Sequence, residues 1–273
     1  MIGEVASFSN ALANAFTNTL GGKSTQISSW RNTLRYSSSV ALIFILVVIL
    51  FNLETVTPKV VLIGFAAGFC GGLGLPFIYK AISTGAVSFV SPVVALTQSL
   101  FLIIFAVVVK NESLSPTFPL AALLGAVGIY LCSRQNSAKN QVSFSIFALA
   151  VAAATFFSGF SFLMTEVDNS QILAALVGAR FGVFALTFIF PPKSDQLLTS
   201  AFTTAWKKFA ILSGLCEVIA NLFFMIAINN LALNKVGVFM ASAPALSTLI
   251  AIKLLHQRAS LINWLGIAAS TAA

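Results

Sequence analysis

Long apolar runs, separated by short polar breaks, cover nearly the whole chain of 273 residues. A helix needs about 20 apolar residues to cross about 30 Å of hydrocarbon. The runs therefore predict ten membrane-spanning helices, at about 2–20, 30–51, 60–81, 85–109, 117–133, 143–164, 171–190, 207–229, 235–255 and 260–273. The last run has only 14 residues, or about 21 Å of helix. We therefore expect the last helix to be truncated.

The second part of the chain repeats the first. At an offset of 146 positions, ten residues between 64 and 104 are identical to their partners. They are Gly68, Cys70, Phe77, Ala81, Ile82, Ala86, Val90, Ala95, Leu100 and Ile104. Closer to the start the offset is 149, where Phe8-Ser9 matches Phe157-Ser158 and Arg31 matches Arg180. The pattern indicates a duplicated transporter architecture, with a binding site between the repeats.

The repeat divides the chain into residues 1–133 and 143–273, with a polar link at 134–142. Each part contains five predicted spans. Because five is odd, the second part enters the membrane in the opposite orientation to the first. We therefore expect an all-α integral membrane protein with ten transmembrane helices, arranged as two inverted five-helix repeats that rock around a central site.

The composition supports the membrane prediction. Hydrophobic residues make up 58% of the chain and charged residues only 8%, against about 25% charged in soluble domains. The net charge of +8 comes from single basic residues at span ends. That placement favours contact with anionic lipids and gives no nucleic-acid signal. Cys70, Cys132 and Cys216 lie inside spans without metal-ligand spacing, so we expect no metal and no cofactor.

The first span carries a polar face. Ser7, Asn10, Asn14 and Thr17 fall on one side of a helix. Such a face is costly against lipid, so it must look inward, either to pack against another helix or to line a wet cavity. The third span carries Gly64, Gly68 and Gly72, a spacing that predicts close approach of a neighbouring helix.

Ionisable residues inside spans are the sharpest functional candidates. Glu217 lies in the middle of the eighth span, with Asn221 one turn further on. Glu217 is a candidate for proton or cation coupling, for pairing with an arginine, or for reaching the membrane end. Arg180 and its repeat partner Arg31 are candidates to bind an anionic group or to anchor their helices. Our preferred internal pair is Arg180 with Glu217.

The candidate substrate-binding residues are Asn10, Asn14, Phe77, Ser158, Arg180 and Asn221, with Glu217 as the proton-coupling group. The sequence contains no phosphate-binding loop, no metal cluster and no nucleophile motif. We therefore predict no catalytic residues and no enzymatic activity.

Two parallel segments carry a family resemblance. Lys110-Asn-Glu112-Ser-Leu-Ser115 follows the fourth span, and His256-Gln257-Arg258-Ala-Ser260 follows the ninth. With Arg31 early in the second span and Tyr79-Lys80-Ala81 late in the third, the chain resembles the ten-helix EamA-type members of the drug/metabolite transporter superfamily. The motifs are loose, and their order and duplication carry the resemblance.

The resemblance implies a secondary transporter, and an exporter, of small metabolites such as amino acids or related organic solutes. It also implies a cavity lined by spans 1, 3, 4, 6, 8 and 9, with Glu112 and Gln257 capping helix ends. A flippase-like carrier of a lipid-linked substrate is the alternative. We expect a multi-pass protein of the bacterial inner membrane, monomeric or homodimeric, whose partners are a small solute, membrane lipids and a coupling proton or cation. The resemblance implies cytoplasmic termini, whereas the basic residues favour termini outside.

Overall fold

The computed structural model describes residues 1–51, 56–83, 87–114, 116, 118–133, 144–191, 203–243, 245–246, 249–250, 264–265 and 268–269. Most of the described residues lie in helices, and no strand occurs among them. The helices are α1 (Ile2–Ile27), α2 (Trp30–Leu50), α3 (Pro58–Ser83), α4 (Val87–Val108), α5 (Phe118–Ser133), α6 (Phe144–Met164), α7 (Ile172–Ile189), α8 (Thr203–Asn230) and α9 (Leu233–Met240). A short 3₁₀ turn, Asn169–Gln171, precedes α7.

Five of these segments are long and apolar enough to cross a membrane. They are Trp30–Leu50, Pro58–Ile82, Phe144–Met164, Asn169–Ile189 and Ala205–Asn230. The chain is therefore built as a multi-pass membrane protein would be. The polar link at 134–142, part of the ninth predicted span and most of the tenth lie outside the described residues.

Helix α1 is longer than its apolar run predicts. The apolar run predicts that α1 ends near residue 20, but the helix continues to Ile27. The extension is polar and still buried, because the Ser24 hydroxyl bonds the Trp206 carbonyl at 3.0 Å and the Thr33 hydroxyl at 2.9 Å. Helix α2 then begins at an N-cap, where the Ser29 side chain accepts from the Asn32 amide at 3.2 Å.

Three side-chain bonds hold α1 to α8 along their length. The Asn10 amide donates to the Ala220 carbonyl at 2.7 Å. One heptad further along α1, the Ser213 hydroxyl donates to the Thr17 carbonyl at 3.0 Å. The Ser24 bond to Trp206 is the third. Positions rise by seven in α1 and fall by seven in α8, so the two helices are antiparallel. This is where much of the polar face of α1 is buried.

Helices α3 and α7 cross closely and run parallel. A Cβ placed on Gly64 or Gly68 would overlap the Ala175 or Ala179 carbonyl oxygen, respectively. From the other side, Gly178 meets the Val61 carbonyl in the same way. The close approach predicted from the glycine spacing is confirmed. Small residues on both helices let the backbones touch, which is how apolar helices associate in lipid.

Glu112 joins the loop after α4 to the start of α9. Its two carboxylate oxygens accept from the Leu233 amide at 2.8 Å and the Asn234 amide at 2.9 Å. These are the first amides of α9, which lack partners within the helix, and a carboxylate is favoured there. The capping role expected of Glu112 is confirmed. Gln257, its counterpart, lies outside the described residues.

Candidate functional site

A cavity of about 120 Å³ lies among the helices. Its walls come from α1, α3, α4, α6, α7, α8 and α9, so both parts of the chain contribute. Glu217 and Arg180 lie near the middle of α8 and of α7, which places the cavity at mid-helix. The volume is of the same order as the ~150 Å³ cavity that accepts benzene in an engineered protein. A small organic solute therefore fits.

The Arg180 and Glu217 side chains form an ion pair at the cavity wall. The Nη1 atom of Arg180 lies 2.6 Å from Oε1 of Glu217. The arginine side chain is 1% exposed and the glutamate side chain 14% exposed. The pairing preferred from the sequence is therefore present. Burial of either charge alone would be costly, so each side chain needs the other.

Each member of the pair keeps a polar atom without a partner. The Nε atom of Arg180 and the Oε2 atom of Glu217 are both buried and make no hydrogen bond to the part of the protein that the structure describes. A buried polar atom without a partner costs about 1–3 kcal/mol. Both residues line the cavity, while these two atoms themselves are buried in its wall.

Two further residues add unpartnered atoms to the same wall. The amide nitrogen of Asn10 donates to the Ala220 carbonyl, and its Oδ1 atom has no partner among the described residues. The Ser91 hydroxyl on α4 is also buried, with no partner in the described part of the chain. The cavity thus offers a donor at Arg180, acceptors at Glu217 and Asn10, and a hydroxyl at Ser91.

Five of the seven residues predicted for the site line the cavity, namely Asn10, Asn14, Arg180, Glu217 and Asn221. The polar face of α1 serves both purposes that the sequence left open. It packs against α8, and it lines the cavity through Asn10, Asn14 and Thr17.

Phe77 and Ser158, which the sequence also proposes as binding residues, are not among the described residues that line this cavity. Phe77 stacks on Phe156 with ring centroids 5.7 Å apart. The Ser158 hydroxyl donates to the Ala154 carbonyl of its own helix at 2.8 Å. Both match their repeat partners in sequence, and such identity does not tell on which side of a helix a residue lies.

Arg31 does not share the role of its repeat partner Arg180. Its guanidinium lies 5.3 Å from the centre of the Trp30 ring, and the residue does not line the cavity. The two arginines therefore do not face each other across a common site. The anchoring interpretation fits Arg31 better.

The sequence reasoning missed several polar lining residues. Ser91, Gln98 and Ser161 come from apolar spans α4 and α6, and Asn18 extends the α1 face by one turn. The Gln98 amide lies 3.5 Å from the Ser161 hydroxyl. The available signal was their polarity inside apolar runs, which is costly against lipid.

The comparisons with known proteins support the fold, and they indicate no function. No protein-family model matches the sequence, and no curated protein matches it. One solved crystal structure is similar, with a TM-score of 0.78 and 18% sequence identity, over 99% of this chain and 94% of that chain. It belongs to a group of 28 matching chains of solved structure. The chain thus shares an established helical fold.

Proposed function

We propose that the chain is a secondary transporter of a small polar solute, working by alternating access around the cavity. One observation carries the proposal: buried, unpaired polar atoms and an internal ion pair line a cavity at mid-helix. Charges at membrane depth are expensive and mark substrate or ion pathways. Glu217 is the proposed proton-coupling residue, because protonation would release its hold on Arg180.

We further propose ten spans in two inverted repeats. Exchanging α1 with α6, α2 with α7, α3 with α8 and α4 with α9 converts each major interface among these helices into an observed interface, and the α2–α7 and α4–α9 interfaces map onto themselves. The α1–α8 contact becomes α6–α3, and α4–α6 becomes α9–α1. Repeat-related Gly68 and Gly214 each meet the backbone of the second helix of the other half, at Ala179 and Ser37.

Helix directions support the same arrangement. Helix α1 is antiparallel to α8, and α3 is parallel to α7. Contacts of Gly71 with Phe160 and of Gly74 with Phe157 make α3 antiparallel to α6. These relative helix directions agree with a chain in which each helix crosses the membrane once. Odd-numbered helices then point one way and even-numbered helices the other.

The drug/metabolite transporter superfamily, EamA type, is the family we propose. Its support is the order of the motifs and the capping role of Glu112. With this family we also propose that the protein lies in the bacterial inner membrane and exports its solute from the cell.

Uptake by reconstituted protein tests the proposal. Proteoliposomes would be incubated with a bacterial metabolite extract, washed, and analysed by mass spectrometry. We expect at least one small solute to accumulate above protein-free liposomes, and Glu217→Gln to reduce its exchange. Equal contents in both kinds of vesicle, for every solute, would contradict a transport function.

A further inference from the structure

We propose that the groove between α2 and α7 binds the phosphate group of an anionic phospholipid, at the end of the molecule where α2 begins and α7 ends. Arg35 and Arg31 of α2 hold the phosphate, and Thr187 and Phe188 of α7 position Arg35. The groove lies on the outer surface of the helix bundle, and neither arginine is among the described residues that line the cavity. The lipid site therefore does not depend on the proposed transport function.

Arg35 carries its charge on the outward face of α7. Its guanidinium lies 5.1 Å from the centres of both the Phe184 and the Phe188 rings. Its Nη1 atom donates to the Thr187 hydroxyl at 2.6 Å. Phe188 is 67% exposed, and Phe181, two turns earlier on the same face, is also exposed. These contacts fix the guanidinium at a surface that lipid covers in a membrane.

Arg35 lacks an anionic partner in the described structure. It makes no ion pair with a carboxylate among the described residues. It lies in the second turn of α2, about 7.5 Å from the start of the helix, where a charge inside a span is costly without a counter-charge. The neutral Thr187 hydroxyl takes one of the five guanidinium donors. The remaining donors suit a phosphate, which accepts two parallel bonds from an arginine.

Arg31 supplies a second cation one turn nearer the end of α2. Residues four apart on a helix are neighbours on its surface. The Arg31 guanidinium lies 5.3 Å from the centre of the Trp30 ring, and that ring packs edge-on against Phe190, the residue that ends α7, at 5.6 Å. Tryptophans mark the headgroup level of a membrane. Arg31 thus lies at headgroup level with Arg35 just below it, which brackets the depth of a lipid phosphate.

The surrounding charge selects an anionic lipid. At the end of the molecule where α1, α3 and α7 end and α2 and α8 begin, the described charged residues are all basic, namely Lys23, Arg31, Arg35, Lys80, Lys207 and Lys208. The described acidic residues lie at the opposite end or at mid-helix, namely Glu4, Glu112, Glu166, Asp168 and Glu217. Basic residues near a membrane surface attract anionic lipids. A zwitterionic lipid also brings a cationic group, which this surface repels.

The apolar surface below the arginines favours a lipid over a soluble phosphate. Toward the middle of the membrane the groove continues between exposed side chains, Ile43 on α2 and Phe181 on α7. Acyl chains can cover this surface while the phosphate stays at Arg35. A soluble anion would leave it uncovered.

Native mass spectrometry of the purified full-length protein tests the lipid assignment. The protein would be titrated with phosphatidylglycerol and with phosphatidylcholine of the same acyl chains, and the lipid-bound fraction measured. We expect phosphatidylglycerol to bind about fivefold more tightly or better, and equal affinities would overturn the assignment. Glycerol phosphate, the head group without acyl chains, should not displace the lipid at equal concentration. Displacement would indicate a site for soluble anions and would also overturn it.

Variants locate the site. Arg35→Gln should lower the affinity for phosphatidylglycerol about fivefold and remove the preference over phosphatidylcholine. Lys208→Gln removes the same charge at the same end, from an exposed position on α8, and should leave the preference intact. Equal losses in these two variants would show general attraction to a basic surface and contradict a site in the groove.

Arg31→Gln is a second variant, which leaves the contacts of Arg35 with α7 in place. It should also lower the affinity for phosphatidylglycerol, so the site can be tested even if Arg35→Gln does not fold. Melting temperatures without added lipid check the folding of each variant. An unchanged affinity in folded Arg31→Gln protein would contradict a phosphate held by two arginines.

Discussion

At the scale of single residues, the central feature is the ion pair between Arg180 and Glu217 at mid-helix. Arg180 is almost fully buried and has Glu217 as its ionic partner among the described residues. Sequence reasoning predicted this pair because few charges lie inside spans, and a buried charge needs an opposite one. It did not predict Ser91, because an isolated serine in an apolar run carries no pairing requirement.

Glu217→Gln should destabilise the protein by about 3 kcal/mol, since it leaves the Arg180 charge without its counter-charge. The double variant Arg180→Gln with Glu217→Gln should lose less stability than the two single variants together. Chemical unfolding in mixed micelles measures both. Additive losses would show that the two charges do not stabilise each other.

Glu166 provides a pH-dependent contact outside the spans. The Lys110 ammonium donates to its carboxylate at 2.9 Å, which holds the pKa of Glu166 below its ordinary value. The pair therefore adds stability above the pKa of the unfolded state and loses it as pH falls through the lower pKa of the folded state.

Lys110→Met should cost less than about 0.5 kcal/mol at pH 7, because both side chains are substantially exposed and water screens them. At a pH below the folded pKa of Glu166 the cost should vanish. Lys235→Met, an exposed lysine near the same loop, is the control. A cost that stays constant across the acid range would contradict the pairing.

At the scale of elements, glycines and hydroxyls set how helices meet. The crossing of α3 and α7 could be predicted from glycine spacing in α3, although the partner helix could not. The extension of α1 to Ile27 was missed, because Gly-Gly followed by polar residues resembles a helix end. Helices α8 and α2, which bond the Ser24 hydroxyl through Trp206 and Thr33, stabilise these added turns.

Gly68→Ala should destabilise the protein by about 2 kcal/mol or more, since a Cβ there meets the Ala179 backbone, which cannot move aside. Gly22→Ala is the matched control. Its added Cβ meets only the Ile82 side chain, at 3.0 Å. Thermal unfolding of the two variants compares them. Equal melting temperatures would contradict a backbone contact between α3 and α7.

Ser213→Ala tests the bonds between α1 and α8. It removes the donor to the Thr17 carbonyl, and interhelical bonds of this type contribute about 0.6 kcal/mol on average. Ser158→Ala removes a bond made within one helix and should cost less. The difference in free energy of unfolding between the two variants is the measurement. A larger cost for Ser158→Ala would contradict the role assigned to the interface.

At the scale of the whole molecule, the sequence duplication was the most informative feature for predicting where the cavity lies. It predicted a site between two parts of the chain, and the cavity takes lining residues from both. It does not tell which side of a helix a residue occupies, since Phe77, Ser158 and Arg31 match their partners in sequence but are not among the described lining residues. Gly71 matches Glu217 at the sequence offset of 146 and also lines the cavity, so matched sequence positions bring different chemistry to it.

Access to the cavity from the two sides of the membrane tests the central claim most directly. A variant without native cysteines would carry Asn18→Cys in the cavity wall, and a second variant would carry Ala138→Cys in the polar link to report orientation. Both would be treated with a membrane-impermeant maleimide from each side of proteoliposomes. We predict that the reagent modifies residue 18 from either side, and that a bound solute slows both reactions. Modification from one side only under every condition, or from neither side, would contradict alternating access.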